Sequence, residues 1–178
     1  DSLFRLLERN QLPTVLDVTA GLGADSFVLA SRGYPVTMIE RSPVVALLLS
    51  DGLRRAGELD DEELRDIVER MHLHSGDSLD YLRQLAAADY PDVIYIDPMF
   101  PASKKSALVK KEMQAFQQLV GADHDSDALL QLALEKARYR VVVKRPLKAA
   151  SLAGVKAAFS IKGKAVRFDV YPLRAFDK

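Results

Sequence analysis

The chain has 178 residues, 25 basic and 25 acidic, and so a formal net charge of zero. Its 48% apolar and 28% charged content is that of a globular chain long enough for one full core. It has no Cys, which excludes disulfides, thiolate chemistry and Cys-based zinc or iron–sulfur centres. The neutral sum conceals a division: residues 1–100 carry 18 acidic and 9 basic side chains, residues 101–178 carry 7 and 16. Such asymmetry hints at a charged partner, often nucleic acid or a membrane. The longest aliphatic run, Val44 to Leu49, is far too short to span a bilayer. No signal-peptide pattern opens the chain, and its start at Asp1 rather than Met leads us to expect that an N-terminal part is missing.

In chain order, residues 14–18 read as a buried strand after the Pro13 break, and Gly21 and Gly23 mark a tight turn into a helix over 24–31. A second strand covers 36–40. Ser42-Pro43 then opens a helix, with Ser as N-cap and Pro in the first turn. Residues 60–70 form an acidic amphipathic helix whose acids cluster at its N-terminal end, where the dipole favours them. A short strand over 71–74, a helix over 78–87 and a strand over 92–97 follow, the last stopped by Pro98 and Pro101. Helices near 110–120 and 126–138, a strand over 140–144 and two strands over 157–162 and 165–171 complete the pattern. Alternating strands and helices imply an α/β fold, Rossmann-like, with a mostly parallel sheet and a C-terminal antiparallel hairpin. No repeat, low-complexity segment or long linker interrupts it, so one domain is expected over 1–178.

Residues Asp17-Val18-Thr19-Ala20-Gly21-Leu22-Gly23 link the first strand to the first helix. In doubly wound folds this loop touches the ligand, and its glycines admit close backbone approach. The bland alternative is a ligand-free turn. The third glycine of a dinucleotide fingerprint is missing and there is no Gly-Lys-Ser/Thr, so neither that site nor a P-loop is present. An acid four residues before the first glycine is instead typical of S-adenosylmethionine sites, whose cationic ligand suits an acid-rich pocket. Glu40 ends the second strand, 19 residues after Gly21, where a carboxylate can accept both ribose hydroxyls or else stand as a solvated acid beside Arg41. Asp77 follows the third strand at a place suited to the adenine amino group. Ser78 either adds a contact or caps the next helix. Asp25 either binds the methionine part of the cofactor or complements the helix dipole.

Asp97-Pro98-Met99-Phe100-Pro101 ends the fourth strand, which should lie beside the first at the switch point of the sheet. Asp/Asn-Pro-Pro-aromatic at this place marks methyltransferases acting on exocyclic amines of bases or on amide nitrogens. Such an amine is a poor nucleophile because its lone pair is delocalised. Asp97 and the Pro98 carbonyl can accept its N–H groups, aim the lone pair at the methyl and stabilise the charge that grows on nitrogen. Phe100 can stack on a flipped-out or unpaired base. The alternative, an Asp-Pro turn with Phe100 in the core, weakens when the glycine loop and Glu40 stand upstream at the right intervals.

The basic half follows directly. Lys104, Lys105, Lys110 and Lys111 come after the motif, and Lys144, Arg145 and Lys148 after the fifth strand; Lys156, Lys162, Lys164 and Arg167 decorate the tail. Each alone reads as a solvated charge, but beside a base-modifying site they fit a phosphate-binding rim. The Asp123–Asp127 run fails as a calcium loop, with Ala128 and Leu134 at the positions that need Gly and Glu. His72, His74 and His124 show no metal spacing.

Five segments, Asp17 to Asp25, Ile39 to Val45, Tyr95 to Pro101, Lys104 to Met113 and Val141 to Pro146, closely resemble the bacterial small-subunit ribosomal RNA guanine-N2 methyltransferase J family. The resemblance covers nearly the whole chain. It implies a class I methyltransferase fold with a seven-stranded sheet, S-adenosylmethionine as cofactor, S-adenosylhomocysteine as product, and one guanosine of 16S rRNA as substrate. It also implies cytoplasmic work on 16S rRNA or the small subunit by a monomer, without metal or membrane. The family's cofactor contacts would fall on Ala24, Asp25, Glu40, Arg41, Asp77, Ser78 and Asp97, beside Asp17, Gly21 and Gly23 of the loop. From the basic half, the RNA contacts are expected at Lys104, Lys105, Lys110, Lys111, Lys144 and Arg145. Family members carry an additional N-terminal region. Methylation of another amine (adenine N6 or a protein glutamine) is the competing enzyme reading, and a non-catalytic cofactor- or RNA-binding module the competing reading of another class.

Overall fold

The computed structural model describes residues 12–98 and 125–176. Seven strands form one sheet in the order β3-β2-β1-β4-β5-β7-β6. They are β1 (Val15–Asp17), β2 (Val36–Glu40), β3 (Met71–Ser75), β4 (Val93–Ile96), β5 (Arg140–Pro146), β6 (Phe159–Lys162) and β7 (Val166–Pro172). The first five run parallel; β7 is antiparallel to β5 and β6 to β7. The expected α/β fold with a C-terminal hairpin is therefore what forms. β1 pairs with both β2 and β4, so strand order reverses at β1 and β4, and a crevice opens beyond their carboxyl ends.

Helices α1 (Ala24–Ser31), α2 (Pro43–Gly57) and α3 (Glu62–Glu69) follow the strands on one side. Their buried Ala30, Leu49 and Ile67 pack with Val15, Val36, Met38, Met71 and Tyr95 of the sheet. Helices α4 (Ser78–Gln84) and α5 (Ser126–Lys136) bring Leu82, Leu129, Leu130 and Ala133 to the other face, against Leu16, Ile39, Ile94, Ile96, Val141 and Val143. Burying one fully covered Leu or Ile contributes about 1.5–3 kcal/mol. Each inner strand has residues in both clusters, which is why β1 and β4 read as continuous apolar runs.

Local chemistry sets the ends. Asp61 caps α3 by accepting from Leu64 N–H at 3.0 Å. Ser42 precedes Pro43 as expected, but its hydroxyl makes no cap bond; its N–H donates to Glu40 instead. α4 stops at Gln84, short of the expected residue 87. Lys136 Nζ of α5 takes the Leu85 carbonyl, and a 3-10 turn over Ala87–Asp89 follows. At the amino end of the sheet, Thr14 and Asp92 exchange hydrogen bonds and pin β1 to β4. The helix expected near 110–120 lies outside the described residues.

Candidate active site

The carboxyl ends of β1, β2 and β4 and the first turn of α1 bring four acids together: Asp17, Glu40, Asp97 and Asp25. Asp17, at the end of β1, is 1% exposed. Its Oδ2 accepts from Ser26 Oγ at 2.6 Å and its Oδ1 from Thr19 N–H at 3.0 Å. Burial pushes its carboxyl up to about 6 against the opposing pull of those two bonds. Asp17 was expected among the cofactor contacts. In the structure both its oxygens accept from within the protein, so it positions the glycine loop and the first turn of α1.

That loop needs its glycines. Gly21 and Gly23 have φ of 55° and 76°, which side chains with a Cβ rarely adopt. A Cβ on Gly23 would also stand 2.9 Å from Leu49 Cδ1. Glu40 clamps the loop from β2. Its Oε2 accepts from Gly21 N–H at 2.9 Å and its Oε1 from Ser42 N–H at 2.7 Å. Each oxygen keeps a second lone pair for a ligand hydroxyl, so the ribose role and the clamp are compatible. Glu40→Gln sets an NH₂ group against one of these N–H donors. We expect a stability loss of about 1–3 kcal/mol, read in denaturant melts. S-adenosylmethionine affinity, read by calorimetry, should fall roughly tenfold for each 1.4 kcal/mol of loop distortion.

Asp77 is the N-cap of α4, its Oδ1 accepting from Leu79 and Asp80 N–H. Of the two readings of Ser78, capping is not what occurs. Its hydroxyl donates to the Val18 carbonyl at 2.6 Å and ties α4 to the end of β1. Ala24 opens α1 and is exposed; Arg41 follows β2 and is half-buried.

The centre of the site lies between β1, β4 and β5. Lys144 Nζ stands 2.7 Å from Asp25 Oδ2 and 2.9 Å from Asp97 Oδ2, bridging α1 and β4. Tyr95, two residues before Asp97 and on the same face of β4, donates its hydroxyl to Asp25 Oδ2 at 2.7 Å. Thr19 Oγ1 accepts from Asp97 N–H at 2.7 Å, so the loop that Asp17 holds also fixes the Asp97 backbone. Burial drives the Asp25 carboxyl up, but the Lys144 and Tyr95 bonds outweigh it and hold Asp25 below its usual range. For Asp97 burial wins: despite Lys144, its carboxyl lies above the usual range, with the Asp25 charge adding to the rise. Burial lowers the Lys144 ammonium, and its two carboxylate partners more than restore it. Buried Tyr95 is held protonated, so it acts as a donor.

Two residues expected at an RNA-facing rim are placed otherwise. Lys144 is spent on the carboxylates. Arg145 is 5% exposed, donates to the Ala150 carbonyl at 2.6 Å and faces the opposite side of the sheet from Lys144. Phe100, Lys104, Lys105, Lys110 and Lys111 lie outside the described residues; Pro98 is described and buried. Sequence reasoning gave no role to Thr19, Ser26 or Tyr95, and missed the bridging one of Lys144. The signal for Tyr95 was its spacing of two from Asp97 on a strand. For Lys144 it was the end of the strand next to β4.

An acid-lined crevice over a glycine loop at a switch point fits a cationic, ribose-bearing ligand. A family model described as "Putative SAM-dependent methyltransferase" matches residues 5–173. The chain belongs to this family. Curated relatives in this S-adenosylmethionine-dependent methyltransferase family include the ribosomal RNA small subunit methyltransferase J of Marinobacter nauticus. It is 56% identical over 161 residues, covering 90% of this chain and 57% of that protein. The protein of the same name from Cellvibrio japonicus is 56% identical over 162 residues, covering 89% of this chain and 61% of its own length. The chain thus spans about three-fifths of the curated relatives it matches. Among solved structures, a SAM-dependent methyltransferase from Neisseria gonorrhoeae is similar at a TM-score of 0.74 and 44% identity, over 93% of this chain and 63% of that one. The rRNA methyltransferase aviRa of Streptomyces viridochromogenes, at 0.58 and 18% identity over 96% of this chain and 80% of its own, shares the fold.

Proton linkage gives one test of the buried acid. The raised Asp17 pKa means the folded state holds its proton more tightly than the unfolded chain. Stability from this group is full below about pH 4 and is lost as pH rises through about 6, by roughly 3 kcal/mol. In Asp17→Asn that component of the stability–pH curve should vanish, as read by denaturant melts from pH 4 to pH 7.

Proposed function

We propose that the protein transfers a methyl group from S-adenosylmethionine to the exocyclic N2 amine of a guanosine in 16S rRNA. The observation that carries this reading is the placement of Asp97. Its backbone is tied to the cofactor loop through Thr19, and its carboxylate stands at the crevice beside Lys144. The name shared by the curated relatives supplies the substrate class.

Glu40, Asp25 and the Gly21–Gly23 loop would hold the cofactor, with Ala24, Arg41, Asp77 and Ser78 around them; when bound, it supplies an electrophilic methyl on a sulfonium. Asp97 and the Pro98 carbonyl accept the N–H groups of the incoming amine and keep its lone pair on line with that methyl. The nitrogen–carbon bond forms as the carbon–sulfur bond breaks, and the sulfur keeps that electron pair. The nitrogen then sheds a proton, and a carboxylate whose pKa burial has raised is a better acceptor for it. Phe100 stacks on the base, and Lys104, Lys105, Lys110 and Lys111 engage the backbone. The enzyme works as a cytoplasmic monomer with one catalytic domain.

The test is radiolabelled methyl transfer, by the full-length protein carrying any further region its relatives have, to unmodified 16S rRNA and to 30S particles. Label in small-subunit RNA supports the reading. Cofactor binding with no transfer to either substrate points to a binding module and refutes it.

A further inference from the structure

The row of residues that contains the active site does not stop at Lys144. Lys144 of β5 pairs with Phe168 of β7, and Phe168 pairs with Ile161 of the edge strand β6. Directly paired residues project on one face of a sheet. Asp97, Lys144, Phe168 and Ile161 therefore form one row across four strands, and Phe159, two residues before Ile161, shares its face. At about 4.8 Å per strand, Ile161 stands roughly 14 Å from Asp97.

At its outer end this row is open. All four residues of β6 are exposed, with Phe159 at 50% and Ile161 at 60%. Half-exposed aromatic and aliphatic side chains in line with an active site call for an occupant. Charge indicates which. From Val155 to Phe168 the chain has Lys156, Lys162, Lys164 and Arg167 and no acid. Arg167 is spent internally, on Asp169 and on the carbonyls of Pro146 and Leu147. The lysines are exposed. Lys162, the last residue of β6, projects to the face opposite Ile161, while Lys164 sits in the β6–β7 turn, which Gly163 N–H closes by donating to the Val166 carbonyl at 2.8 Å. That turn lies at the carboxyl end of β5, the end of the sheet that bears the site. Two copies of so basic an edge would repel each other, whereas a polyanion with flat apolar rings is complementary to it.

We propose that the exposed Phe159–Ile161 face of the β6–β7 hairpin, backed by half-buried Phe168, is a platform on which unpaired nucleotides next to the target base stack, with Lys164 of the turn on their phosphates. An exposed sheet surface can stack two or three bases in this way. The inference rests on the RNA methyltransferase reading above and adds to it where the flanking strand runs.

The test uses the full-length protein with unmodified 16S rRNA and 30S particles, and the variants Phe159→Leu, Phe159→Tyr and K164E. Phe159→Leu keeps apolar area but loses the ring. The KM for RNA should rise roughly tenfold, as expected for one lost base stack, while Phe159→Tyr stays near wild type. K164E should weaken rRNA binding and reduce its log–log salt dependence by at least about 0.7. Cofactor affinity and melting temperature should be unchanged in all three. Transfer by the wild type with unaltered KM in the variants overturns the platform alone. Variants that lose activity on particles but bind naked rRNA normally overturn it in favour of a ribosomal protein. A wild-type dimer that dissociates in the variants overturns it in favour of a second copy. Absence of any transfer by the wild type refutes the reading beneath it, and the platform with it.

Discussion

Asp97→Ala should lower methyl transfer by about two to three orders of magnitude or more, the scale for loss of a preorganised group that stabilises transition-state charge. The loss should fall on kcat, because the amine is no longer aimed or stabilised as it becomes positive. S-adenosylmethionine binding should survive, since Glu40 and the Gly21–Gly23 loop form their own network through Gly21 and Ser42 N–H. Asp97→Asn keeps one oxygen acceptor and should lie between the alanine variant and the wild type. Single-turnover transfer alongside calorimetric cofactor binding separates the two effects. Equal loss of binding and transfer would move Asp97 from the chemistry to the cofactor site.

Lys144→Met should have the second large effect, and pH reveals it. Lys144 is placed against both Asp25 and Asp97 and pulls both carboxyls down. An opposite charge at such distance favours the ionised carboxylate. Without it, both carboxyls rise, and like-charge repulsion between them is no longer offset. The ionised form of Asp97 is the one that accepts the amine. The acid limb of kcat/KM should therefore move to higher pH, with activity recovering as pH is raised. Lys144→Arg keeps the charge and should leave the limb near its wild-type place. A uniform loss at every pH, unrelieved by arginine, would assign Lys144 a packing role.

The sequence carried the fold because its periodicities were unambiguous. Val36–Glu40 and Val93–Ile96 are apolar runs flanked by turn residues, and α1 lies between two glycines. Asp17, Glu40 and Asp97 could be found because strand ends in such sheets face the ligand. What sequence could not supply was direction. Lys144 and Arg145 are adjacent and both cationic, yet one points into the site and the other is buried on the opposite face. Only the pairing of β5 with β4 and β7 distinguishes them. Likewise, nothing in the residue type separates Asp17, consumed by Ser26 and Thr19, from Asp25, which meets Lys144 in the site. Loop geometry and burial make that distinction. Ser78 shows a third limit: a hydroxyl before a helix reads as a cap, but here the cap is Asp77 and the hydroxyl holds β1.

The charge division between the two halves also acquires a finer meaning. Four acids of the first half, Asp17, Asp25, Glu40 and Asp97, gather at the site while others stay on exposed helix surface, and one lysine of the second half belongs with the four. Among the described residues, exposed Lys162 and Lys164 leave basic surface at the β6–β7 edge. The most direct measurement is nucleoside mass spectrometry of unmodified 30S particles and 16S rRNA, after incubation with the full-length protein and isotope-labelled S-adenosylmethionine. The account predicts the labelled methyl on N2 of guanosine, at a single position, and its absence with Asp97→Ala. Label on adenosine N6, on ribose or on protein would contradict it.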